Sequence, residues 1–303
     1  MKQSDKATLI GLIAIVLWST IVGLIRSVSD SLGVTGGAAL IYTLASVFLL
    51  LSVGWVRLRD FPRRYLIWGS VLFVCYELCL ALSIGYAHNS QQAIEVGMVN
   101  YLWPTFTIVA AILFNKQKAN GLLAPGLLLS MMGISWILGG EQGLSLHNIW
   151  LNVQDNPLSY GLAFSGALIW AGYSTMTARI AQGKNGITLF FMLTAAALWV
   201  KYLAQGAPAM TFTVPALVYL LLAAMAMGFG YAAWNVGILH GNVTILAGAS
   251  YFIPVFSAAL STVLLQAPLT LTFWQGSAMV CLGALLCWLA IRVRKPRSLK
   301  SAA

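Results

Sequence analysis

Two carboxylates and a set of aromatic rings are the side chains of this sequence best placed to do chemistry in apolar surroundings. Glu77 falls near the middle of one long apolar stretch, and Glu95 near the end of the next. A central Asp, Lys or Arg in a membrane helix costs about 2.5 to 3.5 kcal/mol on the insertion scale, so a buried carboxylate needs a use. Glu77 reads in two ways: it faces a cavity, where it binds the ammonium group of a solute or carries a proton, or it is a neutral or paired carboxyl that ties helices together. Glu95 is nearer water, which favours the second reading for it. Trp18, Tyr76, Tyr101, Trp103, Trp170, Tyr173 and Tyr251 fall toward the middle of apolar stretches, where an aromatic solute would gain stacking or edge-to-face partners, each worth about 0.5 to 1.5 kcal/mol beyond burial. Trp55, Trp68, Trp199 and Trp274 lie near stretch ends and belong to interfacial belts. The amides of Asn100 and Asn235 can bond a solute carboxylate or a neighbouring helix.

This chemistry is recognition rather than bond making. His88, His147 and His240 lie at stretch ends or in loops, and Cys75, Cys79, Cys281 and Cys287 sit inside apolar runs as packing residues. No zinc spacing, phosphate loop or nucleophile constellation is present, so the expectation is no metal, no cofactor, no catalytic residue and no enzyme.

Prolines bring backbone into the same region. Pro104 and Pro254 lie mid-stretch, where each removes a backbone hydrogen bond and crowds the carbonyl four residues earlier, that of Asn100 or Ser250. On a helix Gly97, Tyr101 and Pro104 fall within about 60° of one another. Ala247, Tyr251 and Pro254 repeat the stripe. Irregular backbone at this depth is tolerated where it is buried in protein or lines a cavity. Gly97, Pro104 and Pro254 are therefore read as kink or gating residues.

Those side chains have to be held by membrane helices. The chain has 303 residues, 60% apolar and 8% charged, against about 25% charged in soluble domains. Ten stretches reach the roughly 20 residues a span needs, near 7–27, 34–55, 64–86, 91–114, 121–138, 157–179, 186–204, 214–238, 242–265 and 270–291. The first has no cleavage pattern and reads as a retained span rather than a signal peptide. The formal charge of +10 does not point to nucleic acid, because the basic residues form short clusters between apolar runs. Of the 17 Lys and Arg residues, 15 fall in the N-terminus, alternate loops and the C-terminus, leaving Arg26 and Lys201 on the other side. Basic loops stay cytoplasmic, so both termini are expected there and the number of spans is even.

An offset of 150 residues aligns Asn100 to Phe106 with Ser250 to Phe256, Gly126 with Gly276 and Gly133 with Gly283; an offset of 152 aligns Trp18 with Trp170. The expected fold is thus an all-α membrane protein of ten transmembrane helices in two five-helix units, 1–150 and 151–303, the second ending in a basic cytoplasmic tail. Five is odd, so the second unit threads the membrane in the inverse sense, as in many secondary transporters. Glu77 and Glu95 map to Met227 and Ile245, so the second unit does not repeat the carboxylates.

The two five-helix units and the Tyr-x-x-Pro segments resemble the EamA-type branch of the drug/metabolite transporter superfamily. Longer stretches, Ala7 to Ser19 (ATLIGLIAIVLWS), Gln92 to Pro104 (QAIEVGMVNYLWP) and Tyr231 to Thr244 (YAAWNVGILHGNVT), are similar to the aromatic amino acid exporters of bacterial inner membranes, and the likeness runs from about residue 6 to residue 292. The resemblance implies export of aromatic amino acids, and of other neutral amino acids or cationic drugs, from a central cavity built by both units. The partners it implies are a small-molecule substrate and membrane lipid. Sugar phosphates are disfavoured independently, since all 17 basic residues lie at or beyond stretch ends and none is placed to offset a buried phosphate. An aromatic cavity with one carboxylate suits a zwitterionic amino acid or a lipophilic cation. Proton antiport and facilitated diffusion both remain open, as do monomer and homo-oligomer.

Overall fold

The computed structural model describes residues 3–55 and 57–291, without the side chains of Val243 and Thr244; Lys2 and the basic tail from Arg292, with Arg294, Lys295, Arg297 and Lys300, lie outside the described residues. The chain forms α1 Gln3–Ser19, α2 Ile21–Leu32, α3 Val34–Ser52, a π-helical turn Tyr65–Gly69 leading into α4 Ser70–Gly85, α5 Ser90–Asn100, α6 Trp103–Asn115 and α7 Leu123–Leu138. It continues with α8 Leu146–Asp155, α9 Pro157–Ile180, α10 Ile187–Ala204, α11 Val214–His240, α12 Val243–Ser250, α13 Ile253–Leu265 and α14 Leu271–Ile291. No strand occurs among the described residues.

Helix starts follow local chemistry. The side chains of Asn89, Ser145, Asn156 and Thr213 each accept a backbone N–H of the first turn that follows, opening α5, α8, α9 and α11. Pro157 and Pro215 stand in the first turns of α9 and α11, where no N–H is needed.

Apolar residues cover the outside of the bundle. On α11, Val214, Leu217, Val218, Leu221 and Leu222 are exposed at spacings of three and four, while Ala216, Leu220, Ala223 and Met227 are buried. A continuous stripe of this kind marks contact with an apolar surrounding rather than water. Among the described residues, six helical stretches are long and apolar enough to cross a membrane, with α5 and α6 counted as one, and seven if α1 and α2 count as one bent span. The molecule is a multi-pass, all-helical membrane protein.

Three local expectations need correction. The first stretch is two helices bent by 41°, not one, and it runs on to Leu32. At the bend Ser19 Oγ donates to the Ile15 carbonyl and Thr20 Oγ1 to that of Leu17, both at 2.7 Å, local bonds that compete with the helix ladder. Pro104 and Pro254 do not kink continuous helices. Each is the second residue of a new helix, α6 or α13, after an interruption at 101–102 or 251–252. Each proline has no N–H to give the carbonyl four residues earlier, that of Asn100 or Ser250, and its ring crowds that carbonyl, so the break falls ahead of the ring. The connection expected at 139–156 holds a further helix, α8, and positions 150 and 151 lie within it.

Helices α6 and α13 are both 13 residues long and both end on a left-handed residue, Lys116 (φ 55°) and Gln266 (φ 51°). Helices α7 and α14 meet along a glycine seam. A Cβ on Gly126 would lie 2.9 Å from the Gly283 carbonyl oxygen, and one on Gly133 2.7 Å from that of Gly276. In return, a Cβ on Gly283 would lie 2.7 Å from the Gly126 carbonyl and one on Gly276 2.7 Å from that of Gly133. Only glycine permits such an approach. Each contact recurs with its partners exchanged, the property of a two-fold interface. Elsewhere α1 packs on α11 as α9 packs on α4, and α3 packs on α10. Where α3, α4 and α10 meet, Tyr42, Phe73, Phe190 and Phe191 are fully buried and form the centre of the largest core.

Candidate substrate-binding site

The bend between α1 and α2, the break between α5 and α6 and the break between α12 and α13 converge with α4, α9 and α11 around a cavity of about 240 Å³. This lies just below the roughly 300 to 1,000 Å³ of sites for drug-sized ligands. Trp18, Ile21, Val22, Tyr76, Leu80, Gly97, Asn100, Tyr101 and Trp103 line it from the first half of the chain, and Trp170, Ser174, Met227, Tyr231, Trp234 and Ile253 from the second. No Asp, Glu, Lys, Arg or His is among them.

The aromatic wall is a connected set of rings. Trp18 meets Tyr231 edge to face at 5.1 Å and Trp234 at 5.2 Å, while Trp170 meets Tyr76 at 4.5 Å and Trp103 at 6.0 Å. Small residues make room for it. A Cβ on Gly230 would lie 2.7 Å from Trp18 Nε1, so glycine there lets the indole lie against α11. That indole N–H is buried with no hydrogen-bond partner. Gly166 lets α9 approach α5, where Asn100 Nδ2 donates to the Ala163 carbonyl at 3.3 Å.

Of the residues singled out in the sequence, Trp18, Tyr76, Gly97, Asn100, Tyr101, Trp103 and Trp170 line the cavity. Tyr173 stands behind the wall, with its ring 5.1 Å from that of Trp170. Glu77 also lies behind it and is wholly buried. Its Oε2 accepts from Tyr42 Oη at 2.6 Å and its Oε1 from Tyr231 Oη at 2.7 Å, so the cavity-facing geometry is replaced by a carboxyl tying α4 to α3 and α11. Tyr251 is not brought to the cavity with Tyr101. It packs on Trp288, at 6.1 Å between rings, in a cluster with Ile108, Ala284 and Cys287. Pro104 and Pro254 are buried at the starts of α6 and α13, off the lining, and Asn235 stands next to Trp234 outside it.

Tyr231 and Trp234 carry much of the wall and were not singled out. With Met227 they form a stripe at i, i+4 and i+7 on α11. Counted along the apolar stretch they fall near its end, but α11 has 27 residues and spans about 40 Å, more than the roughly 30 Å hydrocarbon layer. Residues late in the run can therefore still stand inside it.

Beyond the cavity, polar side chains gather at the end of the bundle that carries α8. Glu95 accepts from Tyr160 Oη at 2.9 Å and Asn152 Nδ2 at 3.0 Å, tying α5 to α9 and α8. Asp155 accepts from Gln92 Nε2 at 3.0 Å and meets His88 Nδ1 at 3.0 Å, and these two contacts, Gln92 first, hold its carboxyl below the usual range. Arg26 pairs with Asp30 at 2.7 Å and donates to the Ala87 carbonyl.

Residues 157–289 match the EamA-like transporter family. The aromatic amino acid exporter YddG of Salmonella typhimurium is 62% identical over 96% of this chain and 99% of its own, and the exporter of the same name from Escherichia coli K12 is 61% identical over 95% and 98%. A further protein of that name, from Ancylobacter novellus, is 26% identical over 86% of this chain and 88% of its own. A solved structure titled only as the crystal structure of a protein superposes with a TM-score of 0.67 over 95% of this chain and 99% of that one, at 22% identity, which supports the fold alone. At this identity over nearly the whole length, the chain belongs to the YddG family of EamA-like transporters, a family of transporters and not of enzymes.

Proposed function

We propose that the protein exports aromatic amino acids across the bacterial inner membrane by alternating access through the aromatic cavity. The observation that carries the reading is the cavity itself: lined from both halves of the chain by four tryptophans and three tyrosines, with neutral polar groups and no formal charge. Its volume of about 240 Å³ suits one amino acid, whose ring lies among Trp18, Trp103, Trp170 and Trp234. The Asn100 amide and the hydroxyl and indole N–H groups of the lining residues are the donors available to its carboxylate, and aromatic faces serve the ammonium through cation–π contact. A lipophilic cation is the weaker candidate, because the one carboxylate at this depth is enclosed by two tyrosine hydroxyls.

In this reading the chain crosses the membrane ten times as two inverted five-helix units divided around α8, with both termini in the cytoplasm. The exchanged contacts of the glycine seam and the matched helices α6 and α13 support that symmetry. The two ends of the cavity are unequally closed. At the end bearing α8, α2, α5 and α13 pack on one another; at the other, α12 does not pack comparably on α6 or α9 among the described residues. This supports a cavity reached from the cytoplasmic side. The test is flux in liposomes containing only this protein: labelled phenylalanine crosses, whereas a sugar phosphate does not and a quaternary cation is much slower. Flux of the cation alone would overturn the assignment.

A further inference from the structure

Glu77 is the one carboxylate in the middle of the bundle, and its surroundings assign it a role other than contact with a solute. It has no exposed surface, and each of its oxygens is taken by a tyrosine: Oε2 by Tyr42 and Oε1 by Tyr231. Tyr42 is itself fully buried, 5.4 Å from the Phe191 ring. Tyr231 is different, since it is part of the cavity wall. Its ring stands edge-on to Trp18 at 5.1 Å, Phe191 at 5.2 Å, Phe73 at 5.7 Å and Trp170 at 6.4 Å, with interplanar angles between 61° and 73°. It thus touches both Trp18, from the first half of the chain, and Trp170, from the second. A tyrosine ring can rotate out of such a slot unless its hydroxyl is anchored. Here the anchor is a carboxyl oxygen at 2.7 Å, a well-formed O–H···O hydrogen bond.

We infer that Glu77 is a positioning residue: through Tyr231 it fixes the spacing of Trp18 and Trp170, and so sets the preference of the cavity for an aromatic side chain. This rests on the export reading above and adds to it the group that determines selectivity. Without the acceptor, the Tyr231 hydroxyl is left buried and unpaired and turns toward the water of the cavity. The ring then leaves its edge contacts, and the slot for a flat side chain widens. Aliphatic amino acids, which need no stacking partner, are affected less.

The experiment is transport kinetics in proteoliposomes for phenylalanine and leucine, with Glu77→Leu, which removes both acceptor oxygens, Tyr231→Phe, the double variant of these two, Tyr42→Phe, and Glu77→Gln, which keeps one acceptor oxygen and loses only the titration. Loss of one or two ring contacts raises the phenylalanine KM about 3- to 10-fold in Glu77→Leu and in Tyr231→Phe, with a smaller change in turnover at saturation and a smaller rise for leucine. The double variant is no worse than the single ones, because both remove the same link. Tyr42→Phe, at the carboxyl's other oxygen, shifts KM in the same direction by less. If Glu77→Leu fails to fold, Tyr231→Phe and Tyr42→Phe carry the test, since each deletes one hydroxyl and no carboxyl. Effects that multiply in the double variant would overturn the inference. So would a Glu77→Gln protein with unchanged KM that has lost a response to an imposed pH gradient, which would make Glu77 a proton carrier. Absence of phenylalanine flux in the unsubstituted protein would instead remove the export reading itself.

Discussion

Single side chains in this protein act through how tightly they are enclosed. Gly230 is a case where one hydrogen atom matters. A methyl group there would stand 2.7 Å from Trp18 Nε1, and α11 cannot retreat because α1 packs along it. Gly230→Ala is expected to push the indole into the cavity, costing about 1 to 3 kcal/mol and raising the phenylalanine KM; thermal unfolding in detergent and uptake kinetics read the two effects. Asp155 offers a test outside the membrane-spanning helices. Its carboxyl is held below the usual range by Gln92 and His88, so ionised Asp155 favours the folded state above the unfolded value of about 3.9, and that contribution is lost as pH falls through the lowered folded value. The melting temperature should therefore drop on acidification below about pH 4, and Asp155→Asn should remove that part of the drop. The effect is small, because the side chain is exposed.

Among elements, the broken helices and the glycine seam have opposite tasks. The seam between α7 and α14 brings backbones into contact and leaves no space for a side chain at Gly126, Gly133, Gly276 or Gly283. Gly133→Val should lower thermal stability by at least the 1 to 3 kcal/mol or so of ordinary overpacking, because backbone rather than a movable side chain stands in the way. Pro104 and Pro254 instead keep two helix pairs from fusing. Each stands in a first turn, where it costs the helix nothing, so replacement by alanine should leave stability nearly unchanged. Turnover should fall in Pro104→Ala, as α5 and α6 join into one stiffer rod, and saturating export rates measure it.

For the molecule as a whole, the decisive prediction concerns access. If both termini are cytoplasmic, a cysteine introduced at Gln117, between α6 and α7, reacts with impermeant reagent only from the cytoplasmic side, and one at Gln142, between α7 and α8, only from the opposite side. A cysteine at Ser174, on the cavity wall, should react from the cytoplasmic side, and phenylalanine should slow that reaction. Labelling of Gln117 and Gln142 positions from the same side would exclude the ten-span inverted arrangement.

Much of this architecture is written in local pattern. Apolar runs of sufficient length define helices, glycine and proline at a common offset of 150 residues set the expectation of a repeat, and rings at central depth mark the stretches that meet around a cavity. These are short-range properties, set by hydropathy, backbone freedom and the missing N–H of proline. Which face of each helix turns inward is not local. Tyr101 and Tyr251 are aligned by that offset in sequence, yet one lines the cavity and the other packs on Trp288, because the neighbours that cover each come from elsewhere in the chain. Glu77 likewise gives a strong local signal of cost and none of direction. Only the arrival of Tyr42 from α3 and Tyr231 from α11 decides that its carboxyl holds the wall rather than faces the solute, since a charge is satisfied by whichever donors tertiary packing delivers to it.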